Sequence, residues 1–224
     1  VSCNEDGILM SFADTDVRYD LTVRPEVLCD RAFEYPAWKG ERVSAAAVLY
    51  SEADMHDVSV RVTDLKSETG RIASEIVSAS FVRYIWADEM IDGYDQCGPR
   101  VRSEHDSLLV ADMIDNAAST DIKANTCQPV WMSVKVPSDT PAGLYRGKLI
   151  VRHGKFSRVC LPVELEVVDM TLPDPSEWKF HLDLWQNPYS VARYHGVELW
   201  SKEHFEYMRP VMQKLACAGQ KVIT

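Results

Sequence analysis

"PVWMSVKVPSDTPAGLYRGKLIVRH" occupies Pro129–His153. In its first third, Val130, Met132 and Val134 alternate with Trp131, Ser133 and Lys135. That is the period-two pattern of a strand with one face buried. The run Pro137-Ser-Asp-Thr-Pro141 then breaks any ladder, because proline carries no amide hydrogen to donate. A second β-rich run, Gly143–His153, follows at once. Tyr145 stands just past this corner, where a tyrosine packs back and donates its hydroxyl to upstream backbone in Greek-key sandwiches. Two strands joined over such a corner point to an antiparallel β-sandwich.

The same pattern extends in both directions. "VRYDLTV" (17–23), "ERVSAAAVLY" (41–50), "DVSVRVTD" (57–64), "IVSASFVRYIWAD" (76–88) and "RVCLPVELEVVD" (158–169) all read as strands. Lys66–Gly70 and His153-Gly154 supply turn chemistry between them. No amphipathic helix interrupts the series. Seven or more short strands at this spacing predict a mostly β fold, Ig-like in the loose sense, over residues 1–172. Between Glu89 and Asn125 the alternation fails and acidic residues gather, so this stretch reads as a long irregular excursion. It is either a functional loop or a solvated insertion.

The chain has 224 residues, 46% hydrophobic and 26% charged, with a formal net charge of −10. That composition suits a globular protein with a real core. The charge disfavours nucleic acid as a partner. The densest basic stretch, Arg146–Arg158, alternates with apolar residues and reads as the solvent face of strands. No apolar run approaches the length of a membrane span. The six cysteines, Cys3, Cys29, Cys97, Cys127, Cys160 and Cys217, are too widely spaced for a zinc knuckle. Cys160 and Cys217 read as small buried hydrophobes.

Beyond "MTLPDPSEW" (170–178) the character changes, and residues 173–224 read as a linker and a different kind of unit. "KFHLDLW" reads as a strand with Phe180, Leu182 and Leu184 on one face and His181, Asp183 and Trp185 on the other. After a loop, Ser201 is a natural N-cap, and Phe205, Met208, Met212, Leu215 and Ala216 recur at helical spacing. Pro210 either kinks that helix or starts a second one. Gly219 suits the residue after a helix end, and "KVIT" begins like another strand. Strand, helix, strand is one βαβ unit, which cannot cover both faces of a parallel sheet alone. The expectation is the opening of a larger α/β domain that continues past Thr224.

The stretches "AWKGERVSAAAVLY", "QPVWMSVKVPSDTPAGLYRGKLIV", "VVDMTLPDPSEWKFHLDLWQNPYSVARYHGVELWSKEHF" and "LACAGQKVIT" resemble glycoside hydrolase family 123, the β-N-acetylgalactosaminidases. The resemblance implies an N-terminal β-sandwich followed by a (β/α)8 barrel, with Phe180–Gln186 as barrel strand one, Ser201–Gly219 as its helix and Lys221–Thr224 opening strand two. It also implies retaining, substrate-assisted hydrolysis of glycans bearing terminal N-acetylgalactosamine, without metal or organic cofactor. In that scheme the sugar's own acetamido oxygen is the nucleophile, an Asp orients it, and the adjacent Glu is the acid and base. The family's Asp-Glu pair belongs to a later strand, so no catalytic residue is assigned in this chain. The adjacent Asp88-Glu89 lies in the sandwich half and is read as a strand end. The fragment itself is expected to be inactive.

Barrel sites form at the C-terminal ends of strands. Asp183 is therefore the candidate to bind sugar hydroxyls and Trp185 to stack on a pyranose. Gln186 stands near the same strand end, and Tyr189 and Arg193 on the following loop would extend that surface. The alternative is that Asp183 braces strands and Trp185 is core. His181, His195 and His204 lack metal-ligand spacing such as HExxH. "VSCNED" at the start resembles the lipid-bearing Cys3 of exported bacterial lipoproteins, as in Bacteroidetes, or is a frayed terminus with an incidental cysteine. The first reading places the protein in the periplasm, secreted, or tethered to the outer membrane by lipid alone. The competing functions are a glycan-binding accessory sandwich and a structural one. Trp38, Tyr84, Trp86 and Trp131 are isolated aromatics that form no binding ladder.

Overall fold

A computed structural model describes residues 7–26, 32–87, 107–154 and 157–222. The chain divides into two units, Val1–Thr171 and Leu172–Thr224. The first is mostly β. Its strands are β1 (Ile8–Ala13), β2 (Phe33–Lys39), β3 (Arg42–Ser51), β4 (Met55–Val62), β5 (Leu65–Lys66) and β6 (Arg71–Ile72). They continue with β7 (Val77–Ala87), β8 (Leu108–Ile114), β9 (Thr120–Ile122), β10 (Thr126–Lys135), β11 (Gly143–His153) and β12 (Ser157–Thr171).

These strands form two sheets. One has the order β1-β3-β10-β7-β8, and the other runs β2-β12-β11-β4-β9 with the β5–β6 hairpin attached to β11. All described pairings are antiparallel except β2 with β12. β2 is an edge strand, which is where Pro36 is tolerated. Alternate residues of both sheets meet in one core: Val43, Ala47 and Leu49 of β3 and Val130, Met132 and Val134 of β10 from the first sheet, and Leu149, Val151, Leu161, Val163 and Leu165 from the second.

The corner at Pro137–Gly143 is built as expected. The buried Tyr145 donates its hydroxyl to the Pro141 carbonyl at 2.8 Å. Gly70 lies against it, and a Cβ there would fall 2.7 Å from the tyrosine oxygen. The strands read at 41–50, 57–64, 76–88, 129–137, 143–153 and 158–169 are present within a few residues.

"VRYDLTV" is not a strand. Residues 14–26 instead cross the outer face of the five-stranded sheet, meeting its strands in the sheet's own order. The Arg18 guanidinium bonds the Asp112 carboxylate and the Ala111 carbonyl on β8. The Tyr84 hydroxyl of β7 donates to the Tyr19 carbonyl at 3.0 Å, and the Cys127 amide of β10 donates to the Leu21 carbonyl at 2.8 Å. The Arg24 guanidinium sits 5.7 Å from the Tyr50 ring centre on β3. Asp14 and Asp20 accept from the amides of Asp16 and Thr22, satisfying backbone that a ladder would otherwise engage. The period-two pattern survives because half-buried Tyr19 and Leu21 alternate with exposed neighbours. Under this strap, burial raises the Tyr84 hydroxyl well above its ordinary range and pushes the Cys127 thiol up to about 11.

Other expectations are revised as well. Part of the irregular excursion is ordered, since β8 and β9 lie at sheet edges within it. Cys217 is exposed and Cys160 half-buried, so neither is a fully buried hydrophobe. Asp88-Glu89, Cys3, Cys29 and Cys97 lie outside the described residues. No described helix is long and apolar enough to cross a membrane.

The β5–β6 hairpin is pinned by Asp64, which accepts from Arg71 Nε at 2.7 Å and from the Ser74 amide at 3.0 Å. Arg71, then the Ser74 amide, hold its carboxyl down at about 2. A lowered carboxyl contributes stability above its unfolded range and loses it as pH falls through the folded value. Asp64→Asn is therefore expected to lower the denaturation midpoint at neutral pH, and the difference from wild type should close as pH approaches about 2. An offset that is the same at every pH would contradict this.

Candidate functional site

The second unit holds α1 (Pro188–His195) and α2 (Lys202–Cys217). Ahead of them, "KFHLDLW" makes no strand. It is reduced to one parallel bridge, Leu182 with Gln220, and Lys221 and Val222, the described residues of "KVIT", form no strand. A parallel strand needs partners at its edges and cover on both faces. Here Phe180, Leu184 and Trp185 are exposed, so nothing in the described unit supplies that cover.

A side chain replaces the missing ladder. Gln220 accepts from the Leu184 amide at 3.1 Å and donates to the Leu184 carbonyl at 3.0 Å and the Val222 carbonyl at 2.7 Å. The amide thus imitates a neighbouring strand and fixes where Asp183–Gln186 emerges. Gly219 makes this approach feasible. Its φ is +91°, and a Cβ there would fall 2.6 Å from the Trp178 ring. The Trp178 indole donates to the Pro173 carbonyl at 2.8 Å, and the Lys221 ammonium bonds the Trp178 carbonyl.

The loop after Gln186 is a helix, so Tyr189 and Arg193 lie on α1 rather than on a loop. The cues were local: Asn187 caps the Ser190 amide, Pro188 takes the first turn, and Gly196 ends the helix with φ +64°. Ser201 caps α2 as expected, through the His204 amide at 3.1 Å. Pro210 sits inside one continuous helix. Of the expected apolar stripe, Met208 is buried and Leu215 half-buried, while Phe205, Met212 and Ala216 are exposed.

The buried residue that spacing did not single out is His204. Its Nδ1 accepts from the Trp200 amide at 3.0 Å, so Nε2 carries the hydrogen and donates to the Pro188 carbonyl at 2.9 Å. One imidazole therefore ties the start of α1 to the start of α2. It also holds Trp200 at φ +63°, a conformation rare for a bulky residue. The Tyr189 and Trp200 rings meet edge to face at 6.0 Å.

Asp183, Trp185 and Gln186 project from the clipped segment. Asp183 is exposed, and Trp185 retains 85% of its accessible surface, so it is not core. Gln186 Nε2 is a buried donor with no acceptor among the described residues. Arg193 lies elsewhere, in a depression of ≈ 360 Å³ with Asn187, Tyr189, Ser190, Val197 and Leu199. The first three candidates share one segment, whereas Arg193 lines a separate surface beside them. No trio of His, Cys, Asp or Glu side chains among the described residues is arranged to hold a metal.

The glycoside hydrolase 123 N-terminal domain model matches residues 12–153, and the glycoside hydrolase 123 catalytic domain model matches residues 185–224. The chain belongs to glycoside hydrolase family 123. A solved family 123 glycoside hydrolase from Clostridium perfringens, studied for glycolipid glycan hydrolysis, superposes with a TM-score of 0.82 at 22% identity. That match covers 96% of this chain and 37% of the other. A macrocyclisation catalyst of alchivemycin A biosynthesis, AvmM, aligns with a TM-score of only 0.39 at 8% identity, over 75% of this chain and 93% of its own. No curated protein matches.

Gln220→Leu keeps the side chain's bulk and removes all three of its hydrogen bonds. It is expected to cost about 1–3 kcal/mol, because it leaves the Leu184 groups unsatisfied. Urea denaturation checks this, and an unchanged midpoint would remove Gln220 as the organising contact.

Proposed function

We propose that this chain is the N-terminal part of a β-N-acetylgalactosaminidase: an Ig-like β-sandwich and the opening of a (β/α)8 catalytic barrel. The observation that carries the reading is the segment Asp183–Gln186. It is clipped by Gln220 beside a parallel bridge, ends in an exposed Trp and an unsatisfied amide donor, and leads into a capped helix. This is the local order of a barrel strand, its C-terminal loop and the helix after it, and sites form on such loops. The family membership and the glycolipid-directed activity of the Clostridium relative support glycans as substrates.

In this reading Asp183 accepts from sugar hydroxyls and Trp185 offers its indole face to a pyranose. Gln186 lies behind them with its amide nitrogen buried, and Arg193 borders a more distant part of the glycan. Hydrolysis is retaining and substrate-assisted. The acetamido oxygen attacks the anomeric carbon while an acid protonates the leaving oxygen, and water then opens the cyclic intermediate. The Asp-Glu pair that orients the acetamide and moves the proton belongs to sequence past Thr224, so residues 1–224 alone do not turn over. Export, with lipid on Cys3, completes the proposal, since such glycans are met outside the cell. The sandwich then serves as scaffold.

The test is hydrolysis of 4-nitrophenyl N-acetyl-β-galactosaminide by residues 1–224 and by a longer chain read onward from the same gene. Activity is expected in the longer chain alone. In that chain Trp185→Ala should raise KM about tenfold, a loss of about 1.4 kcal/mol. Turnover by residues 1–224, or indifference of the longer enzyme to Trp185→Ala, would contradict the assignment.

A further inference from the structure

The outward face of the seven-stranded sheet joins the basic stretch Arg146–Arg158 to two cations from further up the chain, Arg61 and Lys66. Tyr145, Leu149 and Val151 point into the core, so Arg146, Lys148 and Arg152 of β11 point out. By the same alternation Arg158 of β12, Arg61 of β4 and Lys66 of β5 share that outer face, and all six cations are exposed. They come from four strands spanning Arg61 to Arg158. The pairing register brings Arg61 and Lys66 beside the other four.

Two features set this face apart from ordinary solvated strands. First, like charges stand directly opposite one another twice: Arg152 against Arg158, and Arg146 against Lys66. Direct opposition of like charges destabilises a sheet. Second, compensation is one-sided: the carboxylates of this face, Glu164 and Glu166 of β12 and Glu34 of β2, lie toward the β2 edge, away from Arg61, Arg152 and Arg158. Among the described residues only Arg146 has an ion-pair partner on this face, Glu164 at 2.9 Å. Asp64, at the margin, is already engaged by Arg71. This occurs in a chain whose net charge is −10. A shallow groove of ≈ 430 Å³ runs between Thr63, Lys66, Arg146 and Lys148.

We propose that this face binds an acidic glycan, with the cations meeting sulfate or carboxylate groups along the chain. Alternate residues on a strand stand about 7 Å apart and neighbouring strands about 4.8 Å apart, giving a flat grid of cations that suits anions repeated along an extended polymer. Ser59 offers a hydroxyl on the same surface. The alternatives fit the face less well. Ile150, at its centre, is buried rather than offered for membrane insertion, and among the described residues no aromatic ring stands among the cations to stack on bases. The face belongs to the first unit and the sugar-facing segment to the second, and the proposal does not depend on that activity.

The experiment is titration of the 224-residue chain with heparin, dextran, a double-stranded DNA of similar charge, and vesicles of phosphatidylglycerol with phosphatidylcholine. Salt-sensitive binding is expected to heparin, in preference to the other three. Arg61→Glu with Arg152→Glu and Arg158→Glu should weaken heparin binding about tenfold or more and flatten its salt dependence by about one logarithmic unit of slope per arginine. A milder pair, Arg152→Gln with Arg158→Gln, should weaken binding while leaving the thermal midpoint unchanged or higher, since it removes a like-charge contact. Heparin binding that survives the triple substitution would overturn the proposal. So would the absence of heparin binding, or equal or tighter binding to DNA or vesicles.

Discussion

Strand β3 must be buried on both faces at once, and the rest of the sheet unit is arranged around that requirement. From Val43 to Ser51 every residue but Ser44 is buried. One face, Val43, Ala45, Ala47 and Leu49, enters the core shared with the second sheet. The other, Ala46, Val48 and Tyr50, would meet water in an ordinary antiparallel sheet. Burying a valine or leucine side chain stabilises by about 1.5–3 kcal/mol, so leaving that face wet would forfeit much of the strand's contribution. The strap over residues 14–26 lies across that sheet's outer face and reaches Tyr50 through Arg24. Ala45, Ala46 and Ala47 keep the strand thin enough for cover to approach from both sides, while β1 and β10 hold its edges over six and ten residues.

Much of this was legible in the sequence. The strands with clean alternation were found, and so was the tyrosine corner, because both signals are local. The failures have specific causes. "VRYDLTV" alternates because one side packs against the sheet, and alternation cannot tell a strand along its neighbours from a strap across them. "KFHLDLW" has the composition of a strand, but a ladder needs a partner, and here it has one bridge and the Gln220 amide. α1 was missed although Asn187, Pro188 and Gly196 mark its ends, because eight residues carry too little periodicity to outweigh a loop reading. Cys217 falls on the exposed side of α2, a matter of helical phase that hydrophobicity alone misjudged. The basic stretch Arg146–Arg158 was legible as the solvent face of strands, but not that the pairing register of β4, β5 and β11 would bring Arg61 and Lys66 beside it.

The two units divide the work. The sheet unit is held by a large two-sided core, and its distinctive surface chemistry is the cationic outer face. The helical unit is held by few contacts, among them the Gln220 clip and the His204 imidazole joining α1 to α2. Those polar contacts set the path of the backbone that presents Asp183, Trp185 and Gln186. Polar side chains thus do in the second unit what apolar burial does in the first.

Hydrogen–deuterium exchange of the whole chain, resolved to peptides by mass spectrometry, tests most directly whether β3 is the element on which the sheet unit depends. Amides of Arg42–Ser51 and Thr126–Lys135 should be the slowest in the protein and exchange together, only on global opening of the unit. The amides of Asp183–Gln186 should exchange far sooner. Early exchange in Arg42–Ser51, or protection there that is lost while β11 and β12 stay closed, would contradict the central place given to that strand.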